Sequence, residues 1–181
     1  MILACTLETP LGTMTAAAFA GDDCPETEAA LRGLWFAGQK YFPPDMSGWI
    51  FKAGVPVFEK LALWIENYFA GKKALPAVPL APEGTAFRQI VWGQLLRIPY
   101  GVTVTYGELA EKIRRENAGG GKGVTAVSAR AVGGAVGHNP ISLIIPCHRV
   151  VGSGGSLTGY AGGLERKRAL LELEGAYTLS L

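Results

Sequence analysis

Histidine is nearly absent from this chain: His138 and His148 are the only two in 181 residues. Cysteine is scarce as well, with Cys5, Cys24 and Cys147 standing far apart. So few soft ligands, and no Cys-x-x-Cys pair, leave a four-ligand zinc site hard to assemble. An odd number of cysteines at wide spacing is not a disulfide framework, and it suits a reducing compartment. The opening "MILACT" resembles a lipoprotein cleavage site, but it lacks the basic and apolar regions of a signal peptide, since the first basic residue is Arg32. No apolar run is long enough to span a bilayer. These absences predict a soluble, cytoplasmic protein with no membrane partner. Charge is modest too, at 18% of residues with a net +2, which by itself names no partner. The 49% hydrophobic content is enough for one or two small domains with real cores.

The charge is unevenly spread. Residues 1–84 balance to −3 and residues 85–181 to +5. The second half is therefore the one to suspect of binding an anion such as nucleic acid. The first half reads as strands around the turn signal Pro10-Leu11-Gly12, then a further strand over 31–38. A helix follows over 57–70, with Phe58, Leu61, Ile65 and Tyr68/Phe69 on one face. Pro76, Pro79 and Pro82 mark an extended linker at about 75–84, dividing a domain over 1–80 from one over 85–181.

The second half opens with a helix that Thr85 can cap and that carries Phe87, Ile90, Val91 and Leu95. Thr105 and Glu108 have capping-box spacing at the start of a short helix. The glycines of "NAGGGKG" (117–123) cannot continue it, and a helix of small residues is expected over 124–137. Two short helices in a basic half suggest a helix-turn-helix, although tightly packed helix pairs give the same signal. "ISLIIP" (141–146) reads as a buried strand, 152–163 as a glycine-rich loop, and 164–174 as a final helix. The fold class expected is α/β (α+β), a small sheet-plus-helix domain followed by a mainly helical one.

One stretch does not belong in an ordinary core. "IIPCHRVV" (144–151) sets Cys147, His148 and Arg149 between apolar flanks. Three chemistries fit: a zinc site, short of ligands; a cysteine peptidase, whose separate base has only His138 to supply it; and alkyl transfer to a thiolate, which needs neither metal nor oxyanion hole.

"IPCHRV", preceded by "GHNP" and "ARAVGGAV", with "IPYGVTVTYGELA" upstream and "GYAGGL…LELEG" downstream, resembles the O6-alkylguanine-DNA alkyltransferases in unbroken order over about 85–175. The resemblance implies a ribonuclease-H-like N-terminal domain and a C-terminal domain with a helix-turn-helix. It implies stoichiometric, irreversible transfer of an alkyl group from O6 of guanine, and also O4 of thymine, to Cys147. In that reading His148 takes the thiol proton through a water, Glu174 polarises His148, and Tyr106 offers its hydroxyl to the purine. Arg130 replaces a base flipped out from the minor groove. Thr105, Tyr106, Ala129, Ala131 and Gly133 lie against the DNA, where small side chains permit close approach. Asn139 ties the loop before the cysteine, and Pro146, Val150, Tyr160, Ala161, Gly162 and Gly163 wall the base pocket. Arg149 is left between an internal salt bridge and a DNA contact. The implied partner is double-stranded DNA containing O6-alkylguanine, bound by a monomer, with no cofactor and no metal.

The chain departs from the family pattern in places. The join "RRENAGGGKGVT" is longer than the usual turn between the two helices, and Lys122 lies within it. Ala161 stands where many relatives have Ser, which removes a side-chain contact to the base. The rival readings are a non-catalytic lesion-binding protein, for which an acceptor cysteine is superfluous, and a plain helix-turn-helix regulator.

Overall fold

The computed structural model describes residues 1–21, 25–117 and 127–177. These form two compact units: Met1–Glu83 with Pro140–Ile144, and Gly84–Asn139 with Ile145–Leu181. The architecture is mixed α/β. Cys24, Lys122 and most of the glycine-rich join lie outside the described residues. Among the described residues no helix is long and apolar enough to cross a membrane.

The first unit is built on a sheet of order β3-β2-β1-β4. Strands β1 (Ile2–Leu7), β2 (Met14–Phe19) and β3 (Ala30–Phe36) pair antiparallel. The Pro10-Leu11-Gly12 turn joins the first two, with Gly12 at φ +108° and its N–H bonded to Thr9 O at 3.0 Å. The strand β4 (Trp49–Phe51), which no sequence signal singles out, adds parallel to β1. Helix α1 (Pro56–Phe69) buries Phe58, Leu61, Ile65 and Tyr68, the expected stripe, together with Trp64. It ends in a Schellman arrangement: Gly71 at φ +77°, with Lys72 N bonding Asn67 O and Gly71 N bonding Tyr68 O.

Strand β3 carries a bulge. Its register with β2 runs Ala17↔Gly33 and then Ala18↔Leu31, so Arg32 is the extra residue. The bulge turns the N–H groups of both Leu31 and Leu34 to the outer edge. Leu31 N bonds Pro79 O at 2.8 Å, and Leu34 N bonds Pro140 O at 2.8 Å. The Pro-rich stretch is thus extended, as expected, and is also fastened to the sheet at Leu80.

The second unit holds α2 (Ala86–Leu95), β5 (Val104–Thr105), α3 (Tyr106–Asn117), α4 (Ala129–Gly137), β6 (Val150–Val151) and α5 (Leu164–Leu173). Thr85 caps α2 by accepting from Arg88 N. Thr105 and Glu108 form the capping box of α3, with Thr105 N donating to Glu108 Oε2 at 2.7 Å and Glu108 N donating to Thr105 Oγ1 at 3.1 Å. Trp92 Nε1 donates to Ala135 O at 3.0 Å and links α2 to α4. Of the helix expected over 124–137, residues 124–126 lie outside the described ones; α4 begins at Ala129, where Ser128 caps it by accepting from Ala131 N at 3.1 Å.

The expected strand over 141–146 does not form. Ile141 makes one isolated bridge to Leu34, and the chain then turns, with Leu143 in the left-handed region at φ +68°. Six consecutive buried residues carry no alternation, so a buried turn and a buried strand look alike in sequence. Cys147 therefore does not cap a strand. It begins a 3-10 turn, Cys147–Arg149, entered through Pro146 at φ −82°, ψ 63°.

Candidate active site

Cys147 is 3% exposed. Its Sγ accepts from Asn139 Nδ2 at 3.0 Å, and the same amide donates to Ile145 O at 2.7 Å. Asn139 follows the C-terminal end of α4, so the end of that helix is tied by side-chain hydrogen bonds to the turn that carries the thiol. Burial pushes the Cys147 thiol above its ordinary range; the Asn139 bond, the Lys167 charge and the N–H groups of Cys147 and His148 pull the other way.

His148 is fully buried. Its Nε2 bonds Glu174 Oε1 at 2.8 Å. A carboxylate only accepts, so neutral His148 donates from Nε2 and holds its lone pair on Nδ1. Burial lowers the imidazole below its ordinary range; Glu174 opposes this, and Arg149 and Lys167 reinforce it. Glu174 is the C-cap of α5, held by the bonds of Gly175 N to Glu172 O and Ala176 N to Leu171 O. Arg149 grips it with both arms of a fork, Nε to Oε2 at 2.8 Å and Nη2 to Oε1 at 2.9 Å. Gly101 N also donates to Oε2, at 3.1 Å. Of the two readings left open for Arg149, the internal salt bridge is the one formed.

Tyr106 opens α3, and its hydroxyl donates to Gly159 O at 3.1 Å and Thr158 O at 3.3 Å. Burial and the neighbouring Cys147 raise its pKa. Gly133 of α4 faces the Tyr106 ring, so that a β-carbon there would meet the ring at 3.7 Å. Ala129, Arg130 and Ala131 lie on the exposed face of α4. Thr105 is spent in the capping box. Among the expected pocket residues, Pro146 and Val150 are buried, Tyr160 and Ala161 half-buried, and Gly162 buried beneath the Tyr160 ring, where a β-carbon would come within 2.6 Å. Gly163, at φ +92°, starts α5.

Sequence reasoning missed Lys167. This lysine is fully buried, and its Nζ donates to Val150 O at 2.5 Å and Thr158 O at 2.7 Å. Burial lowers its pKa to about 8, against the opposing pull of Cys147. A signal was present: Lys167 precedes the buried Leu170 and Leu171 by three and four residues, so it shares their inner face.

A thiol, an amide, a neutral imidazole and a neutralised carboxylate thus meet within one unit, beside a helix of small residues bearing one exposed arginine. Residues 86–176 match the model of the 6-O-methylguanine DNA methyltransferase DNA-binding domain. A methylated-DNA–protein-cysteine methyltransferase of Haemophilus influenzae is 48% identical over 140 residues, covering 77% of this chain and 72% of that one. The protein of that name from Mycobacterium bovis is 43% identical over 169 residues, covering 93% of this chain and 90% of its own. The crystal structure of Mycobacterium tuberculosis OGT in complex with DNA superposes with a TM-score of 0.78 at 40% identity, covering 96% of this chain and 93% of that one. The chain belongs to the 6-O-methylguanine DNA methyltransferase family.

Proposed function

We propose that the protein repairs DNA by taking an alkyl group from O6 of guanine onto Cys147 Sγ, once per molecule and irreversibly. The observation that carries this is a buried thiol held by Asn139 one residue before an imidazole whose far nitrogen is held by Glu174. The thiol proton passes through a water to His148 Nδ1. The thiolate attacks the alkyl carbon, so that a C–S bond forms as the C–O6 bond breaks, and guanine leaves as an anion. Tyr106 supplies the proton that neutralises it, exchanging its bonds to the 158–159 carbonyls for one to the purine. Desolvation keeps the resting sulfur protonated, so the thiol must hand its proton to His148 for the sulfur to attack.

The same reading covers the DNA side. Helices α3 and α4 act as a helix-turn-helix, with the small residues Ala129, Ala131 and Gly133 against the minor groove. Arg130 fills the gap left when the base flips out, a task suited to its flat, hydrogen-bonding head. Pro146, Val150, Tyr160, Ala161 and Gly162 wall the base, and O4-alkylthymine enters the same pocket. The protein acts on double-stranded DNA as a monomer. The sheet order β3-β2-β1-β4, with β4 parallel to β1, supports a ribonuclease-H-like N-terminal domain over 1–80.

Incubation with DNA carrying labelled O6-methylguanine, followed by peptide mass mapping, tests the transfer. One methyl group is expected on Cys147, and none anywhere in Cys147→Ser, which keeps its affinity for DNA. Tight lesion binding by the wild-type protein with no label transferred would favour the non-catalytic rival.

A further inference from the structure

We propose that Arg149 is a positioning residue for the transfer: by occupying both oxygens of Glu174 it keeps the buried Glu174–His148 pair from capturing a proton, so that His148 stands neutral and ready to accept one from the thiol. This rests on the relay proposed above. The geometry is that of a closed fork, with Nε on Oε2 at 2.8 Å and Nη2 on Oε1 at 2.9 Å. The remaining terminal nitrogen, Nη1, donates to Ile98 O at 2.6 Å, and the guanidinium carbon lies 5.8 Å from the Tyr100 ring centre. All three guanidinium nitrogens are therefore engaged inside the unit.

The charges of Glu174 and Arg149 cancel. The other charged neighbour felt by His148 is Lys167, which is positive. A proton added to His148 would be a second uncompensated positive charge in a buried site. Without Arg149, the charge of Glu174 is no longer cancelled, and a proton on His148 completes a neutral pair. Burial strengthens that preference, because an unpaired buried charge is costly. The other titratable groups at hand are Cys147, next in sequence, and Tyr100, whose hydroxyl donates to Leu173 O at 3.1 Å and whose pKa feels both Glu174 and Arg149. Neither brings a negative charge to the resting site at neutral pH. A protonated His148 has no lone pair with which to relieve the thiol, so the pair's proton affinity decides whether the relay is open.

The chain has only two histidines, so the ring signal of His148 is readily assigned by NMR with His138→Gln as reference. The titration is read on the full chain without DNA. In the wild type the signal of His148 is expected to stay that of the neutral ring below the range in which a free imidazole protonates. In Arg149→Met its midpoint rises by at least roughly one pH unit, and in Arg149→Lys, which keeps the charge but not the fork, by less. The acid limb of the transfer rate moves with the midpoint in each variant. A folded Arg149→Met protein with an unmoved midpoint overturns the proposal. Should that variant not fold, Arg149→Lys decides alone: a midpoint and acid limb identical to wild type overturn it as well. Because the titration needs no DNA, a shift in midpoint without transfer in the wild type would sink the repair reading, and the role in transfer with it, while showing that Arg149 keeps His148 neutral.

Discussion

The acceptor sulfur is governed by a few single side chains. Asn139 Nδ2 donates to Cys147 Sγ at 3.0 Å, and a hydrogen bond to the charged form favours it. Replacing Asn139 by Ala removes that bond and raises the thiol further above its ordinary range, so less thiolate is present at any pH below its pKa. Transfer at neutral pH is expected to fall on the order of tenfold and to recover as pH rises, which a pH–rate profile measures. The variant also leaves Ile145 O without its buried donor, at a cost of about 1–3 kcal/mol in denaturant unfolding. The Lys167 charge also favours the thiolate, and its two backbone acceptors at Val150 and Thr158 fix where that charge sits.

At the scale of elements, the site depends on helix ends. Glu174 reaches His148 because α5 stops there, and Gly101 closes tightly over that end. Gly101 has φ +77°, and a β-carbon on it would lie 2.9 Å from Glu174 O. Gly101→Ala is therefore strained both in its backbone and by contact, and is expected to lower stability by roughly 1–3 kcal/mol, read as a fall in Tm. Helix α4, started by Ser128, presents Arg130 on its exposed face. If Arg130 holds the vacated stack, Arg130→Ala slows repair of duplex DNA far more than reaction with free O6-benzylguanine, which needs no unstacking. Comparing the two rates checks this; equal losses would remove Arg130 from that role.

At the scale of the whole molecule, the net charge of +2 and the way its cations are used set how tightly DNA is held. Several arginines of the second half are already paired: Arg97 with Glu116, and Arg114 and Arg115 with Glu111. Lys112 on α3 and Arg130 on α4 are exposed. Each neutralised phosphate contributes about −0.9 to the slope of log affinity against log salt. A shallow dependence, on the order of two to four contacts, is expected from binding measured across a salt series. A slope as steep as that of a strongly basic repressor would mean that the paired arginines exchange their carboxylates for phosphates.

Much of this was written in the sequence, because it is local. The Thr85 cap, the Thr105–Glu108 capping box, the helical stripe of α1, the Pro-rich extended stretch and the Pro-Cys-His-Arg run are set by neighbours a few residues apart, where side-chain spacing and backbone preference act directly. Three things were decided only by the tertiary structure. The run 141–146 became a turn instead of a strand, since a fully buried apolar run has no period to read and Leu34 offered a single bridge. Arg149 closed on Glu174 across 25 positions of chain, a choice between salt bridge and surface that no local pattern contains. Lys167 went inside because two backbone carbonyls met it there, 9 and 17 residues away in sequence. A buried charge is stable only where its partners converge, and that convergence exists only in the folded chain.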